Sequence, residues 1–394
     1  MVEYEEMVES FTDKTITKWK TVSVPETEQT VQYTELQEIE GQGRSVAQFG
    51  SKAITGANIT INAASDVNIK GAIEATENFT LNSDGAFNLD GITTTDSDGN
   101  DIELLSSIDA KSVITVDTKD ELNLADKSSL ELSDAAGTIT LNSGSSMLID
   151  GEVLAGGTAN IDAGGKIELK SKIQADQSIS VEVTNSTVGG ITTNNEVVLK
   201  TTDLILSAGD KGGELIVDKS ILEASGTLEL NALGSKITQI DSTITADTLN
   251  MNASNAITMT ATANTITAKS NGSGDINILN YSTVVLEDVE AKNGAVYIEA
   301  YGDITANSVK ALGGSDRDDI TLTSIKEDDN SASISVGVVE ALGNGDVTLN
   351  AVDSITSSVG TLRANQLTVK AGTQIELETD VDSITLENTK EEAN

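Results

Sequence analysis

Two short acidic stretches carry residue types that could bind a metal ion. Residues 96–101 read Asp-Ser-Asp-Gly-Asn-Asp, and residues 316–319 read Asp-Arg-Asp-Asp. Hard divalent cations such as Ca²⁺ take oxygen ligands from carboxylates, amides and backbone carbonyls in turns. The sequence therefore predicts candidate calcium ligands at Asp96, Asp98, Asp101, Asp316, Asp318 and Asp319. The same side chains are also ordinary turn formers, and neither stretch has the twelve-residue loop with a closing Glu.

The chain lacks several of the residue types that most often catalyse reactions. It contains no His and no Cys, which excludes His-based triads, cysteine nucleophiles, disulfides and nearly all zinc sites. Carboxylate pairs for acid-base work are abundant, but the Arg residues stand only at Arg44, Arg317 and Arg363. We therefore predict a protein that is not an enzyme, and keep a polysaccharide-acting β-helix enzyme as an open alternative.

The charge of the chain restricts its partners. It has 63 acidic and 24 basic residues, a formal net charge of -39. A nucleic-acid partner is excluded because the phosphate backbone would be repelled by this surface. The chain has no run of 18 apolar residues, so no transmembrane segment is predicted. Its first ten residues are acidic and show no export signal.

The elements that must position these residues are strands. Ile, Leu, Val and Ala dominate the apolar 38%, whereas only ten residues are aromatic. Ser, Thr, Asn, Asp and Gly supply much of the rest, and this mixture disfavours helix interiors but suits short strands joined by tight turns. The composition predicts an all-β protein.

A repeat of about twenty residues runs through most of the chain. A four-residue pattern, apolar-polar-apolar-Asn or Asp, recurs at Ile59, Phe79, Ile139, Ala159, Leu228, Leu249 and Val347. A second alternating pair follows about eight residues later, as at Val67 and Ile69, and a third apolar contact about fourteen residues later, as at Ile73. Period-2 alternation predicts short strands with apolar side chains on one face.

Three strands in every repeat describe one coil of a right-handed parallel β-helix. Residues 51–388 predict about 16 coils at this period, followed by a polar tail at 389–394. Equivalent polar residues one coil apart should stack, so Asn62 with Asn82 and Asn142 with Asp162 predict ladders of side-chain hydrogen bonds. Four irregular stretches predict loops: 94–100, 262–274, 313–319 and 326–333.

The first fifty residues form a separate segment without the repeat. They hold half of the aromatic residues and Pro25, the one proline. Residues 15–24 and 30–39 alternate around a turn and predict two antiparallel strands. Because an open β-helix end exposes unpaired strand edges, the segment is predicted to cap the solenoid or to dock on a neighbouring subunit.

The repeat resembles that of a known family. Residues 57–76 (ANITINAASDVNIKGAIEAT) and 157–176 (GTANIDAGGKIELKSKIQAD) are similar to the coil repeats of filamentous haemagglutinin-type adhesins. The resemblance implies a β-helical shaft, an extracellular or cell-surface location and a role in adhesion, with cell-surface or glycan ligands or self-association as partners.

Three functional readings follow from these patterns. The first is a non-enzymatic structural or adhesive shaft of a bacterial surface adhesin. The second is a self-assembling fibre subunit joined end to end through the N-terminal segment, with calcium as a candidate cofactor. The third is the polysaccharide-acting enzyme.

Overall fold

The computed structural model describes the backbone of four strands within residues 1–50, and residues 54–95, 101–184, 189–194, 196–325, 332–357 and 360–388. The chain divides into two compact units, Met1–Thr202 and Asp203–Asn394. Every regular element in the described residues is a β-strand.

The first unit consists of short strands. In chain order they are β1 (Val2–Ser10), β2 (Lys14–Val22), β3 (Gln29–Gln32), β4 (Arg44–Gln48), β5 (Ile54–Ala63), β6 (Val67–Lys70), β7 (Ala72–Ser83), β8 (Phe87–Leu89), β9 (Ile92–Thr95), β10 (Asp101–Leu104), β11 (Ser106–Ala110), β12 (Val113–Thr118), β13 (Leu122–Leu124), β14 (Ser128–Leu132), β15 (Thr138–Ser143), β16 (Met147–Ile149), β17 (Glu152–Ala155), β18 (Thr158–Ala163), β19 (Ile167–Leu169), β20 (Ile173–Ala175), β21 (Ser178–Val183), β22 (Ile191–Thr193) and β23 (Val198–Thr201).

These strands stack in three parallel columns. First strands pair with first strands of the next coil, as β12 with β15 and β15 with β18. Second strands pair in the same way, as β13 with β16 and β16 with β19, and third strands likewise, as β14 with β17 and β17 with β20. The strands β9 and β10 form an antiparallel pair between a second strand and the following third strand.

The second unit has the same columns but longer strands. They are β24 (Asp203–Ser207), β25 (Leu215–Asp218), β26 (Ile221–Ala232), β27 (Ile237–Ile240), β28 (Thr243–Ala253), β29 (Ile257–Ser270), β30 (Ile276–Asn280), β31 (Val284–Ala291), β32 (Val296–Tyr301), β33 (Ile304–Ala311), β34 (Ile320–Ile325), β35 (Ile334–Ala341), β36 (Val347–Ala351), β37 (Ser354–Ser357), β38 (Leu362–Ala371), β39 (Gln374–Glu376) and β40 (Thr379–Asn388).

A third and a first strand often merge in this unit. In β26 and β28 the two parts are separated only by a register shift at the corner, between Ala224 and Thr227 of β26. The second-strand column runs from β25 and β27 through the start of β29 to β30, β32, β34 and β36, and ends in the later parts of β38 and β40.

The inward positions form the core because alternation sends every second side chain to the same face. Ile59, Phe79, Ile139 and Leu228, which begin copies of the predicted pattern, are all 1% exposed or less. Full burial of such a side chain stabilises the fold by about 1.5 to 3 kcal/mol, but only when a coil lies on each side. The all-β prediction is confirmed. The strands form a parallel β-solenoid of about 15 turns, which is consistent with the predicted right-handed parallel β-helix.

Two sequence predictions within the solenoid are wrong. The copy of the pattern at Val347 lies in the second-strand column, on Ile320, and not in the first. The predicted loop 262–274 is mostly strand, because β29 continues to Ser270 and the turn is confined to the last residues. Small inward residues, Ala261 and Ala263, continue the alternation, which skips one position at Asn264 and Thr265 and resumes at Ile266.

Other predicted loops have different outcomes. Residues 313–319 join β33 to β34, as expected. Residues 96–100 and 326–331 lie outside the described residues, as does the polar tail 389–394.

The N-terminal segment pairs differently from the prediction. The strand β2 pairs antiparallel with β1, and β1 pairs antiparallel with β4. The strand β3 instead pairs parallel with β5, and β4 with β6, so both continue solenoid columns. The antiparallel pairing of 15–24 with 30–39 is therefore wrong, while the boundary at residue 50 and the capping role stay predictions.

Candidate functional site

A polar groove of about 870 Å³ runs along the first unit. It follows the corner where each first strand turns toward the second strand. Its lining comes from six successive coils and comprises Asn62, Ala63, Ala64, Asn82, Ser83, Asp84, Asp117, Thr118, Lys119, Asn142, Ser143, Gly144, Asp162, Gly164 and Thr184.

The strand alternation decides what each coil contributes to the groove. Asn82, near the end of β7, is exposed, whereas the next residue, Ser83, points inward and is buried. The inward hydroxyl is satisfied by donating to the carbonyl oxygen of Ser65 at 2.7 Å. Asp84 begins the turn and is exposed again. In each coil, therefore, the last outward residue of the first strand contributes to one wall of the groove, and a residue of the following turn contributes to the other.

The first wall is partly the amide ladder that the sequence predicts. Asn82 Nδ2 donates to Asn62 Oδ1 at 2.8 Å, which confirms that pair. Asn142 is in register with Asp162, but its amide donates to Asp117 in the preceding coil. Asp162 instead accepts from the Thr184 hydroxyl at 2.9 Å. The ladder is therefore interrupted, and it exposes carboxylate oxygens to the groove.

Glycine keeps neighbouring coils close at the floor of the groove. A Cβ on Gly144 would lie 2.3 Å from the carbonyl oxygen of Lys119, and one on Gly164 would lie 2.4 Å from that of Gly144. Any side chain at these positions would push the coils apart. The absence of side chains there also leaves the groove open toward its later coils.

The charge of the groove is negative. Asp84, Asp117 and Asp162 line it together with one base, Lys119, which forms an ion pair with Asp84 of the preceding coil. The lining offers hydrogen-bond acceptors and amide donors in rows one coil apart, about 4.8 Å. Such rows suit repeated polar contacts with an extended ligand.

Two further ladders on the same unit were not predicted from the sequence. Asn88 Nδ2 donates to Asn68 Oδ1 at 2.9 Å, and Asn123 Nδ2 donates to Asn88 Oδ1 at 2.8 Å, on the second-strand face. Asn78 Nδ2 donates to Asn58 Oδ1 at 2.9 Å at the start of the first strands. Asn68 and Asn88 are twenty residues apart in the sequence, as are Asn58 and Asn78, and this spacing could have predicted both ladders.

The second unit joins many of its coils with carboxylates, a contact that the first unit also makes where Asp66 accepts from the N–H of Ala86 at 2.9 Å. The residue just before a second or third strand is often Asp, and its carboxylate accepts the backbone N–H of the equivalent residue in the next coil. Asp275 accepts from Ala295, Asp303 from Ser333 and Asp346 from Gln366, at 2.8 to 3.0 Å. We call these contacts carboxylate braces. The acidic residues in the braces therefore have a structural role. Hydrogen bonds to a charged acceptor are stronger than those between neutral groups.

The candidate calcium ligands of residues 316–319 take part in this structure. Asp318 is buried and its Oδ2 accepts from both the backbone N–H and the hydroxyl of Ser315, each at 2.7 Å. Asp319 Oδ1 accepts from the backbone N–H of Asp346 at 2.9 Å, another brace. Asp316 is exposed and stands apart from both contacts.

The side chains of the other candidate turn lie outside the described residues. Asp96 and Asp98 lie outside the described residues, and of Asp101 only the backbone, in β10, is described. Within the described part of the chain no three acidic residues come together in a way that could hold a metal ion. Calcium binding therefore stays a prediction.

Comparison with known proteins decides the nature of the repeat. Residues 37–180 match the family model described as hemagglutinin repeat. This segment is built of filamentous haemagglutinin-type repeats. The matched segment covers just over a third of the chain and contains nearly all of the groove. Neither a curated protein nor a solved structure matches the chain.

The hemagglutinin repeats and the solenoid together fit an adhesin-like shaft. In the residues that the structure describes, no helix has the length and apolarity needed to cross a bilayer.

Proposed function

We propose that the protein is a non-enzymatic, extracellular shaft of a bacterial surface adhesin, with structural and adhesive roles. The observation that carries this proposal is the match of residues 37–180 to the hemagglutinin repeat, in a region where those repeats stack as coils. Each coil is coupled to the next by backbone pairing and by amide ladders, which suits a load-bearing shaft. The polar groove is the adhesive face in this proposal.

Adhesion by the groove is tested with beads coated with the full chain and offered to cultured epithelial cells. Asn82→Ala removes a ladder amide in the groove, and Asn88→Ala removes an equivalent amide of the same coil outside it. Lys119→Glu in the groove has Lys111→Glu as its control, because both lysines form exposed ion pairs with an acid of the preceding coil.

The shaft proposal expects the wild-type beads to bind cells and the groove variants to bind fewer than their controls. Equal losses in groove and control variants would remove the groove from the adhesive role. Binding no better than that of beads coated with an inert protein would overturn adhesion altogether. Release of reducing sugar from cell-surface glycans, abolished by Asp117→Asn, would favour the enzymatic alternative.

A specific observation favours a second candidate function, end-to-end self-assembly. In the described part of the chain β2 pairs only with β1, and β40 pairs only with β38. Each strand therefore leaves one edge without a partner strand. In β40, Ile384 and Leu386 are 48% and 55% exposed, whereas their register partners Leu367 and Val369 in the coil below are fully buried.

The two free edges are complementary in charge. The strand β2 contains three Lys and no acid, and β40 contains two Asp, one Glu and no base. Because β2 and β4 are both antiparallel to β1, β2 runs in the direction of the second strands of the first unit. Within the second unit, β40 continues the second-strand column. Like charges keep two β2 edges or two β40 edges apart, so only a head-to-tail pair is favoured.

Sedimentation velocity over a range of concentrations tests this assembly. The wild-type chain should form species larger than a monomer, and K18E/K20E and D380K/D382K should each prevent this. A chain with all four substitutions restores opposite charges and should assemble again, whereas K211E/K292E, at exposed sites elsewhere, should assemble like wild type. A wild-type chain that stays monomeric with and without calcium excludes this function.

A further inference from the structure

Three tyrosines in neighbouring coils of the second unit stand out on the surface. Tyr281 and Tyr297 are 52% and 41% exposed, and Tyr301 is half-buried. The other aromatic residues whose side chains the structure describes, Phe79 and Phe87, are fully buried in the first unit. Every described surface aromatic of this aromatic-poor chain therefore lies within 21 residues of sequence. We call Tyr281, Tyr297 and Tyr301 the tyrosine patch.

The solenoid brings Tyr281 and Tyr301 into contact and places Tyr297 on the same face, four residues before Tyr301 and about 13 Å away along the strand. Tyr281 follows β30 and Tyr301 ends β32, two second strands that pair in register. Their ring centroids are 5.4 Å apart and the planes are inclined by 31°. Tyr297 lies earlier on β32, between the buried Val296 and Ile298, so alternation directs its side chain outward. None of the three fills the core, and their exposed rings therefore offer apolar area to a ligand.

Two braced carboxylates flank Tyr297. Asp275, in the coil before, is held by the backbone N–H of Ala295, and Asp319, in the coil after, by that of Asp346, each at 2.9 Å. By register, Asp275 and Asp319 lie in the adjacent coils two positions before Tyr297. Burial raises the pKa of the Tyr297 hydroxyl, and the charges of these two carboxylates raise it further. One oxygen of each carboxylate is engaged by the brace, so the group keeps a fixed orientation.

Rings and fixed acceptors together define the chemistry of a ligand. The apolar face of a tyrosine ring suits the C–H face of a pyranose, and its hydroxyl can exchange hydrogen bonds. Carboxylates accept hydrogen bonds from sugar hydroxyls, and their positions two coils apart, about 9.6 Å, suit a ligand longer than one sugar. The negative charge of the site disfavours sulfated or carboxylated ligands.

We propose that the tyrosine patch with Asp275 and Asp319 is a binding site for a neutral glycan chain. This inference rests on the proposed adhesive function and assigns to it a second site, on the second unit, distinct from the groove. A protein partner is disfavoured because the neighbours of the patch are mostly polar: Asp275, Thr321 and Thr323 surround β32, and Ile325 beside Tyr301 is the apolar one among the register partners in the next coil.

Isothermal titration of the full chain with neutral hexasaccharides tests the site, using β-1,4-glucan, β-1,3-glucan and α-1,4-glucan oligomers, with heparin as the anionic probe. At least one neutral oligomer should bind, and heparin should not. Tyr297→Ala and Tyr281→Ala should each weaken binding roughly tenfold, as expected for the loss of one stacking contact. Tyr297→Phe should retain most of the affinity.

Leu233→Ala and Ile240→Ala are the matched controls, because they shorten other exposed apolar residues of the same unit. Equal affinities in the tyrosine and control variants would overturn the site, as would the absence of binding to every neutral oligomer. Binding of heparin in preference would overturn the neutral class. Unchanged glycan affinity in a Y281A/Y297A/Y301A chain would reject this site and leave the shaft proposal standing, whereas a wild-type chain that does not adhere to cells would reject the shaft.

Discussion

The two units favour different polar side chains for the same structural task, although Asp66 forms a brace in the first unit and Asn271 and Asn252 form a ladder step in the second. In the first unit, neutral amides such as Asn82 and Asn88 bond to the amides of the neighbouring coil. In the second unit, carboxylates such as Asp346 bond to the backbone N–H of the next coil. The inward positions of both are mainly Ile, Leu, Val and Ala. The core therefore follows one rule, while the outward positions differ between the units.

The difference also separates the two candidate binding surfaces. The first unit combines an interrupted ladder with glycines and a groove, and the second combines braced carboxylates with tyrosines. A solenoid permits this because outward side chains contribute little to the apolar column, so their identity can change without loss of the fold. Function is therefore sought at the outward positions.

The largest expected effect tests whether the core rule is shared. Phe79→Ala in the first unit and Leu322→Ala in the second, both fully buried, should each cost about 2 to 5 kcal/mol of local stability. Native-state hydrogen exchange of amides in the same coil measures this cost. Leu386→Ala in the last coil is the control, with an expected loss below about 1 kcal/mol because the side chain is already half exposed. Similar losses at Leu386 and Leu322 would show that the last coil is covered in solution.

Of the six predicted calcium ligands, Asp316, Asp318 and Asp319 lie in the second unit, and Asp96, Asp98 and Asp101 lie in the first. Calcium binding by the first-unit ligands alone would break the comparison. Ion binding there at a hundred times the Kd should stabilise the folded chain by about 2.7 kcal/mol. Thermal unfolding in calcium and in chelator measures the shift. D96N/D98N should abolish it and Asp316→Asn should not affect it, since Asp316 stands apart from its acidic neighbours' contacts. An unfolding temperature that is the same in calcium and in chelator would contradict the prediction.

Removal of one brace and one ladder step would sharpen the comparison. Asp346→Ala leaves the N–H of Gln366 and the amide of Asn365 without their acceptor, so we expect a loss of about 2 kcal/mol. Asn82→Ala removes a neutral, exposed bond and should cost about 0.5 kcal/mol. Hydrogen exchange in the affected coils measures both. Equal costs would mean that charge adds nothing to the brace.

The smallest expected effects are in the pH dependence of two ion pairs. In the first unit, burial raises the pKa of Glu168, but Lys170 and Lys166 outweigh it and hold the pKa below its ordinary value of 4.5. The stabilisation from Glu168 is therefore present above pH 4.5 and is lost as the pH falls through the lowered pKa. Glu168→Gln should remove this acid dependence, which is expected to be below about 1 kcal/mol.

In the second unit, the stabilisation from an ion pair should be lost at alkaline pH instead of acid pH. A hydrogen bond to Asp288 at 2.7 Å raises the pKa of Lys269 above its ordinary value of 10.5, against the effect of burial. Its stabilisation is present below pH 10.5 and is lost as the pH rises through the raised pKa. Lys269→Met should flatten the alkaline end of the unfolding profile, while the acid end stays unchanged. A change at the acid end instead would contradict the assignment.

Much of the fold could be predicted because the repeat fixes inward positions by alternation. Ile59, Phe79 and Leu228 were recognised from their spacing, and the Asn62 and Asn82 step from its period. The copy at Val347 was assigned to the wrong column because second strands can show the same four-residue pattern. Only the hydrogen-bonded register, with Val347 on Ile320, distinguishes the columns.

The candidate sites were harder to predict than the core. The Asn142 amide bonds to Asp117 in place of Asp162, a choice between two neighbours that are equally close in register. The stack of Tyr281 on Tyr301 has the twenty-residue period of the repeat, but a single pair does not stand out in one sequence. The N-terminal pairing of β2 with β1 depended on which of several alternating segments came together in space.

The sequence by itself determined that the chain is an all-β solenoid with a continuous apolar interior, because strict alternation with a twenty-residue period allows no other burial of so many Ile, Leu and Val side chains. The tertiary structure alone decided which coils carry a groove, which carboxylates become braces and which tyrosines stack. Those contacts join residues of different coils, and their geometry depends on corner conformation and register, which local alternation does not encode.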